Sequence, residues 1–236
     1  MYNRNLFLFP CLLFSINAHA LSLSWAHEFA DVTREHTDKF ELNHSFENGL
    51  GVSTALEYSP RETEDGRSGQ AFNHLKNKKK VFGIDYAINA PANFTLTPGL
   101  SLNLYDEKKT WKPGLEIRWD YNKSLAFVTR YRYEITDYDE KPTKHTHRID
   151  IGAKYKIQPV TLIYKYARYF SDKPIYAKKD TDYKHEVAMK VKFFTHWKYV
   201  MEVSNESVAK NSERRQTVYT TGVEYAFYPP PIRPHV

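Results

Sequence analysis

The chain has 236 residues, of which 41% are hydrophobic, 15% aromatic and 26% charged, and its formal net charge is +6. After the first 20 residues, no segment approaches the roughly 20 consecutive apolar residues that a spanning helix needs, which excludes a helical membrane protein. The single cysteine, Cys11, excludes a disulfide within the chain. The net charge is too small to identify a binding partner by itself.

The first 20 residues have the pattern of a secretory signal peptide. Arg4 supplies a positively charged start, residues 6–16 form an apolar segment, and Ala18 to Ala20 provide a small-x-small cleavage site. We expect residues 1–20 to be removed, so that the exported chain begins at Leu21 and has no thiol. An exported chain of this length without disulfides needs a large core or an apolar solvent such as lipid.

Apolar and polar residues alternate almost without interruption from Leu21 onward, which is the period of a β-strand. This predicts an all-β chain of about twelve strands, an even number as in bacterial outer-membrane barrels. Pro98 and Pro113 interrupt two runs and are expected near strand ends or bulges, since proline donates no ladder hydrogen bond. The predicted strands are 21–30, 37–46, 50–58, 79–88, 94–104, 111–120, 125–135, 147–156, 160–170, 183–193, 198–204 and 216–227.

The connections between these strands alternate between short and long. The short ones, rich in Asn, Pro and Gly, cover residues 47–49, 89–93, 121–123, 158–159 and 194–196. The clearest long ones are polar and cover residues 59–78, 136–146, 171–182 and 205–215. Short periplasmic turns and longer extracellular loops are typical of an outer-membrane barrel, whereas the alternative, a soluble periplasmic β-sandwich, has no reason to produce them.

The predicted fold is therefore an antiparallel transmembrane β-barrel in the outer membrane of a Gram-negative bacterium. The barrel covers residues 21–227, with both of its ends in the periplasm. Residues 228–236 form a proline-rich periplasmic tail, because its prolines cannot continue a strand ladder. The expected surroundings are outer-membrane lipid and lipopolysaccharide.

If the apolar face of each strand meets lipid, the alternate face lines the lumen, which should be narrow in a barrel of about twelve strands. Strands seven to ten place basic residues there, opposed only by Glu134, Asp150 and Glu186. These basic residues are Arg130, Arg132, Arg148, Lys154, Lys156, Lys165, Lys184, Lys190 and Lys192. The first three and last two strands place acidic residues there, opposed mainly by Lys39, so the field across the lumen should be transverse. These acidic residues are Glu28, Glu41, Glu57, Glu202 and Glu224.

The basic face, together with Arg118 on the sixth predicted strand, is the candidate substrate-binding site. It offers four arginines, whose planar guanidinium groups suit carboxylates, and four lysines that act as mobile point charges. They are Arg118, Arg130, Arg132, Arg148, Lys154, Lys165, Lys184 and Lys190. Several weak sites in series permit passage, because conduction requires binding that lets the solute leave. The alternative is a salt-bridged lattice that only solvates and stiffens the lumen.

Three segments carry a family resemblance. They are LSLSWAHEFADVTREHTDKFELNHSFENGLGVS at residues 21–53, WKPGLEIRWDYNKSLAFVTRYRYE at 111–134 and RRQTVYTTGVEYAF at 214–227. Together they resemble the oligogalacturonate-specific outer-membrane porins of the KdgM type, whose relatives include a sialic-acid-inducible channel. Within the second segment, Arg130, Tyr131 and Arg132 match an Arg-Tyr-Arg strand typical of that family.

The resemblance implies a twelve-stranded monomeric channel without a cofactor, which takes up acidic oligosaccharides passively along basic tracks. Oligogalacturonate follows from the resemblance, and alginate-derived oligouronates or sialic acid present similar carboxylates. Two features depart from the family. Relatives commonly carry arginine where this chain has Thr220, and sometimes near Val218, which thins one basic track. Family members generally end on the aromatic residue of the last strand, whereas nine residues follow Phe227 here.

Other functions find less support in the sequence. In an outer-membrane hydrolase, His44 and Ser45 could not form a base and nucleophile pair, because adjacent strand residues point to opposite faces. His145 and His147 share a face, but no third ligand is fixed beside them by spacing, so no metal site is predicted. Export argues against nucleic-acid binding. A non-conducting structural barrel with a plugged lumen stays open as an alternative.

Overall fold

The computed structural model describes residues 20–227, and every regular element in this range is a β-strand. The strands are β1 (Ala20–Ala30), β2 (His36–Ser45), β3 (Leu50–Pro60), β4 (Leu75–Tyr86), β5 (Ile88–Ala90), β6 (Phe94–Leu104), β7 (Lys108–Asp120), β8 (Leu125–Tyr138), β9 (Lys144–Ile157), β10 (Val160–Ser171), β11 (Thr181–Lys192), β12 (Trp197–Ser207) and β13 (Arg215–Ala226). They form one antiparallel sheet, which closes into a barrel because β1 pairs with β13 and β4 pairs with β6. None of the described residues belongs to a helix long and apolar enough to cross a membrane.

The segments β4 and β5 are two parts of one barrel strand, so the barrel has the twelve strands that the sequence predicts. Ile88 of β5 pairs with Leu96 in the register in which Asp85 of β4 pairs with Gly99. Between these pairs the register places Tyr86 opposite Pro98. The ladder is interrupted there because proline has no N–H to donate.

Pro98 and Pro113 lie in the middle of strands, and the ladders beside them continue in an unchanged register, so the expectation of strand ends or bulges is wrong. Pro98 belongs to β6, and Pro113 belongs to β7, where it pairs with Leu100. The ladder between β7 and β8 lacks pairs at Lys112 and Pro113 and resumes in the same register at Gly114. Each proline removes hydrogen bonds locally, and the pairs on either side hold the register.

The connections lie at two ends of the barrel, which we call the turn end and the loop end. The turn end has residues 46–49, 91–93, 121–124, 158–159 and 193–196, and the loop end has residues 31–35, 61–74, 105–107, 139–143, 172–180 and 208–214. The predicted turn at 89–93 and loop at 59–78 were too long. Strand pairing extends into both, since β3 runs to Pro60, which pairs with Leu75 of β4, and β5 runs to Ala90.

The described chain begins and ends at the turn end, where the Phe227 amide donates to the Leu21 carbonyl at 2.9 Å. Strand β1 starts at Ala20, one residue before the predicted start of the exported chain. The rest of the predicted signal peptide and the predicted tail at 228–236 lie outside the described residues.

Apolar side chains cover the outside of the barrel, and small or polar side chains fill the inside. Ile151 and Val187 are 55% and 56% exposed, whereas Ala55 and Thr110 are each 5% exposed. This is the reverse of a soluble protein, and it is the arrangement of a barrel whose outer band contacts lipid.

Asp38 of β2 is a carboxylate that departs from this pattern, because it lies on the outward face beside His27. The indole N–H of Trp25 donates to its Oδ1 at 3.2 Å, and His27 Nδ1 lies 3.0 Å from the same oxygen. Phe72, from the connection at 61–74, packs on His27 with ring centroids 4.7 Å apart. The longest connection therefore folds back against the outer face.

Candidate functional site

All eight predicted site residues occupy inward-facing positions on five consecutive strands, β7 to β11. The residues that alternate with them are exposed apolar side chains such as Ile117, Tyr131 and Ile149. Because neighbouring strands are in register, the inward side chains of β8 and β9 lie side by side. Arg130 pairs with Asp150, and Arg132 pairs with Arg148.

Three of the arginines share one carboxylate, and we call this group the Asp150 cluster. The oxygens of Asp150 lie 3.2 Å from Nε of Arg130, 3.5 Å from Nη2 of Arg132 and 2.6 Å from Nη2 of Arg148. The Asp150 side chain is only 6% exposed, whereas that of Arg130 is 32% exposed. The carboxylate therefore lies beneath guanidinium groups that reach the lumen.

The Asp150 cluster keeps a net positive charge, because three permanently charged guanidinium groups surround one carboxylate. The next carboxylate, Glu116, is 3.9 Å from Arg130. Arg148 also stacks on Tyr169, with its Cζ 4.8 Å from the ring centroid. Since each guanidinium has five N–H donors, sharing Asp150 orders the groups and leaves most donors free for a solute.

The remaining predicted residues, with one exception, form ion pairs with neighbouring carboxylates. The pairs are Arg118–Asp120 at 2.5 Å, Lys165–Glu186 at 2.5 Å, Lys184–Glu206 at 3.2 Å and Lys190–Glu224 at 3.2 Å. Within residues 20–227, Lys154 forms no ion pair. The lumen wall therefore combines a neutralised lattice with one cluster in which cations outnumber carboxylates.

The Asp150 cluster faces the opposite wall across a cavity of about 390 Å³, which Arg130, Arg132 and Lys112 line on one side. The other side is lined by equal numbers of acidic and basic side chains. Its lining pairs are Lys39–Glu41 at 2.5 Å and Lys79–Glu57 at 2.7 Å. The sequence alternation places Lys39 and Lys112 on the polar face, but the candidate site included neither of them, and Lys79, which also faces inward, was missed.

A closed antiparallel barrel with an apolar outside and a charged lumen defines the class of outer-membrane channels. The sequence model of the family described as oligogalacturonate-specific porin protein (KdgM) matches residues 14–227. The chain therefore belongs to this family, as its sequence resemblance indicates. Since the family consists of porins, the protein is a porin of the Gram-negative outer membrane and not an enzyme.

Individual relatives agree with this assignment. The oligogalacturonate-specific porin KdgM of Dickeya dadantii is 27% identical over 226 residues, covering 91% of this chain and 95% of the relative. The uncharacterized protein YiiY of Salmonella typhimurium is 29% identical over 232 residues, covering 95% of this chain and 97% of the relative.

Two solved structures share the barrel fold. The NanC porin has a TM-score of 0.73 at 17% identity and covers 86% of this chain and 98% of its own. The KdgM porin has a TM-score of 0.66 at 22% identity and covers 88% of this chain and 99% of its own.

Proposed function

We propose that the protein is a passive channel that admits acidic oligosaccharides, such as oligogalacturonate, through the outer membrane. The observation that supports this most directly is the Asp150 cluster, where three arginines share one carboxylate on the lumen wall. The substrate class draws further support from a relative, since the KdgM porin has been solved in complex with disordered oligogalacturonate.

The chemistry of the Asp150 cluster suits a uronate carboxylate. A guanidinium can donate two parallel N–H bonds to it, and a charge-assisted bond contributes about 1.5–3 kcal/mol. Asp150 fixes the guanidinium groups in advance, which lowers the entropy lost when a solute binds. Because Asp150 also competes for the same donors, the solute is held weakly enough to leave.

The other predicted contacts extend this site along the lumen. Three of these contacts are lysines that are each paired with a glutamate, namely Lys165, Lys184 and Lys190. A passing carboxylate therefore has to displace the glutamate from the lysine and does not meet a free cation. Arg118 and Lys154 line the same recess at the turn end of the barrel. The result is a series of exchangeable contacts from the Asp150 cluster to the turn end.

Under this proposal the turn end faces the periplasm, and the loop end is extracellular. This orientation rests on the shorter connections at the turn end and places both ends of the described chain in the periplasm. Residues 1–20 then serve as the export signal, and the predicted tail at residues 228–236 is periplasmic. The barrel acts as a monomer, surrounded by lipid and lipopolysaccharide.

The test is to record single-channel currents of the refolded chain in planar bilayers. In a salt gradient the reversal potential should show anion selectivity, and oligogalacturonate should block the current. The double variant Arg130→Ala/Arg132→Ala should weaken the block about tenfold, the effect of losing roughly 1.4 kcal/mol of binding. Lys80→Ala, which removes a cation from the outward face of β4, should leave the block unchanged. Oligoalginate and sialic acid, tested in parallel, rank the candidate substrates.

A second candidate function is a structural barrel that does not conduct. Its supporting observation is that seven of the eight predicted contacts are ion-paired, all but Lys154. The same recordings decide between the two. Insertion without conduction would overturn the channel proposal and favour the structural barrel.

A further inference from the structure

An arginine on the outward face of the barrel has no carboxylate partner. Arg168 of β10 follows the exposed residues Leu162 and Tyr164 on the same face, which are 42% and 45% exposed. Within the described residues Arg168 makes no ion pair. Its guanidinium lies over the ring of Phe170, with Cζ 5.7 Å from the ring centroid. It lies three residues before the end of β10.

Histidines held by tyrosines flank this arginine on both sides. His147 Nδ1 lies 2.7 Å from the hydroxyl of Tyr131, and His185 Nδ1 lies 3.0 Å from that of Tyr164. Strand register places His147 beside Phe170 and His185 beside Tyr166, one step to either side of Arg168 along β10. Because each Nδ1 is occupied by a tyrosine, each Nε2 is left to bond another group.

A second histidine of β9 repeats this arrangement nearer to the loops. His145 Nδ1 lies 2.9 Å from the hydroxyl of Tyr133, and the two rings stack with an interplanar angle of 13°. We call Arg168, His145, His147 and His185 the Arg168 patch.

The nearby carboxylates are engaged elsewhere. Asp182 is paired with Arg215 at 2.9 Å, Asp172 accepts the backbone amide of His145 at 2.9 Å, and Asp137 accepts the hydroxyl of Thr143 at 3.0 Å. Arg168 therefore brings an unneutralised charge to the lipid-facing surface. Such a charge is costly at the bilayer midplane and much less so near the interface, where an anionic headgroup can pair with it.

We propose that the Arg168 patch binds a phosphate group of lipopolysaccharide in the outer leaflet. The patch lies at the loop end, which is extracellular in the orientation of the proposed function, and the inference rests on that orientation. A guanidinium matches phosphate with two parallel hydrogen bonds, and Nε2 of His147 and His185 can add one each. Because tyrosines are enriched at the membrane–water interface, the imidazoles that they hold fit the depth of a lipid headgroup.

The test uses the refolded full chain in detergent and purified lipid A as the probe. Wild-type protein should bind lipid A with both phosphates about tenfold more tightly than enzymatically dephosphorylated lipid A. Arg168→Gln should remove most of this preference. Lys80→Gln, a matched loss of one outward cation on β4, should keep it.

Each outcome bears on the proposal. Equal affinities of the wild type and Arg168→Gln for lipid A would overturn the site. If phosphatidylglycerol in mixed micelles binds as tightly as lipid A, the assignment to lipopolysaccharide is wrong. Should Arg168→Gln fail to fold, the double variant His147→Gln/His185→Gln replaces it, with the same loss expected.

This experiment is separate from the test of transport. Arg168 faces away from the lumen, so Arg168→Gln should conduct and be blocked like the wild type. Loss of lipid A binding with normal current supports the patch alone, and absence of current in every variant overturns only the channel proposal.

Discussion

Two regions of the lumen wall differ in how their charged side chains are paired. On β8 and β9, three arginines gather around the single carboxylate of Asp150. On β12, β13 and β1, Thr220 lies between Glu202 and Glu28, directly paired with both in the ladder. Within residues 20–227 neither of these glutamates forms an ion pair. One wall thus has a surplus of cations held in place, and the other has carboxylates without counter-ions.

This difference shows that two separate features of the structure determine which charges line the lumen and which partners hold them in place. Strand alternation decides that all these side chains face inward, but register decides which ones meet. A carboxylate among several arginines orders their guanidinium groups, whereas negative charge on Glu28 or Glu202 would oppose an acidic solute on their side of the pore. An acidic oligosaccharide should therefore travel along β7 to β11.

The largest effect is expected from removing the shared carboxylate with Asp150→Asn. The three guanidinium groups would lose their common partner while still repelling each other. We expect the free energy of unfolding to fall by about 3 kcal/mol, near the lower end for a broken buried pair because water reaches the lumen. Equilibrium urea unfolding in lipid vesicles measures this loss.

The matched control for that variant is Glu186→Gln, which removes a carboxylate from the single, more exposed pair with Lys165. The lysine side chain is 43% exposed, so the loss should stay below about 1 kcal/mol. Equal losses in the two variants would contradict the distinction between the Asp150 cluster and the rest of the lattice.

The sequence is sufficient to predict the direction of these side chains but not their partners. A period of two places Arg130, Arg132 and Arg148 on one face, because side chains alternate across a strand. That Asp150 meets all three depends on the register between β8 and β9, which hydrogen bonds along the entire strand pair and its loop determine. Alternation alone would also allow β9 to shift by two residues relative to β8, because such a shift leaves every side chain on the same face.

Features that depend on distant segments were the least predictable. Pro98 was expected near a strand end or a bulge because proline donates no ladder hydrogen bond, yet both neighbouring strands keep their register around it. The contact of Phe72 with His27 joins the connection at 61–74 to β1, and no local pattern signals it. The proline error and the missed contact have the same cause, since neighbours across the sheet override local preference.

The second prediction tests the difference between the two walls by placing a cation among the carboxylates of the acidic wall. In Thr220→Arg the guanidinium would lie between Glu28 and Glu202 and neutralise the free carboxylates. The anion-to-cation permeability ratio should rise, roughly twofold at low salt, where such charges are poorly screened. Reversal potentials in a salt gradient measure it.

Thr220→Gln serves as the control, because it adds length without charge. A similar rise in both variants would mean that the size of the side chain, and not the two glutamates, controls selectivity. An unchanged ratio in Thr220→Arg would show that the acidic wall has no influence on permeating ions.

The smallest effect is expected from Lys154→Gln at the turn end of the basic wall. Lys154 has no ion-pair partner among the described residues and shares its recess with Arg118, Lys156 and Asp120. Removing it should lower the anion current by less than about twofold at roughly 0.1 M salt, and the loss should vanish near 1 M, where the Debye length is about 3 Å. Single-channel conductance at both concentrations tests this. A loss that persists at high salt would mean that Lys154 shapes the pore sterically, since an electrostatic contribution is screened and a steric one is not.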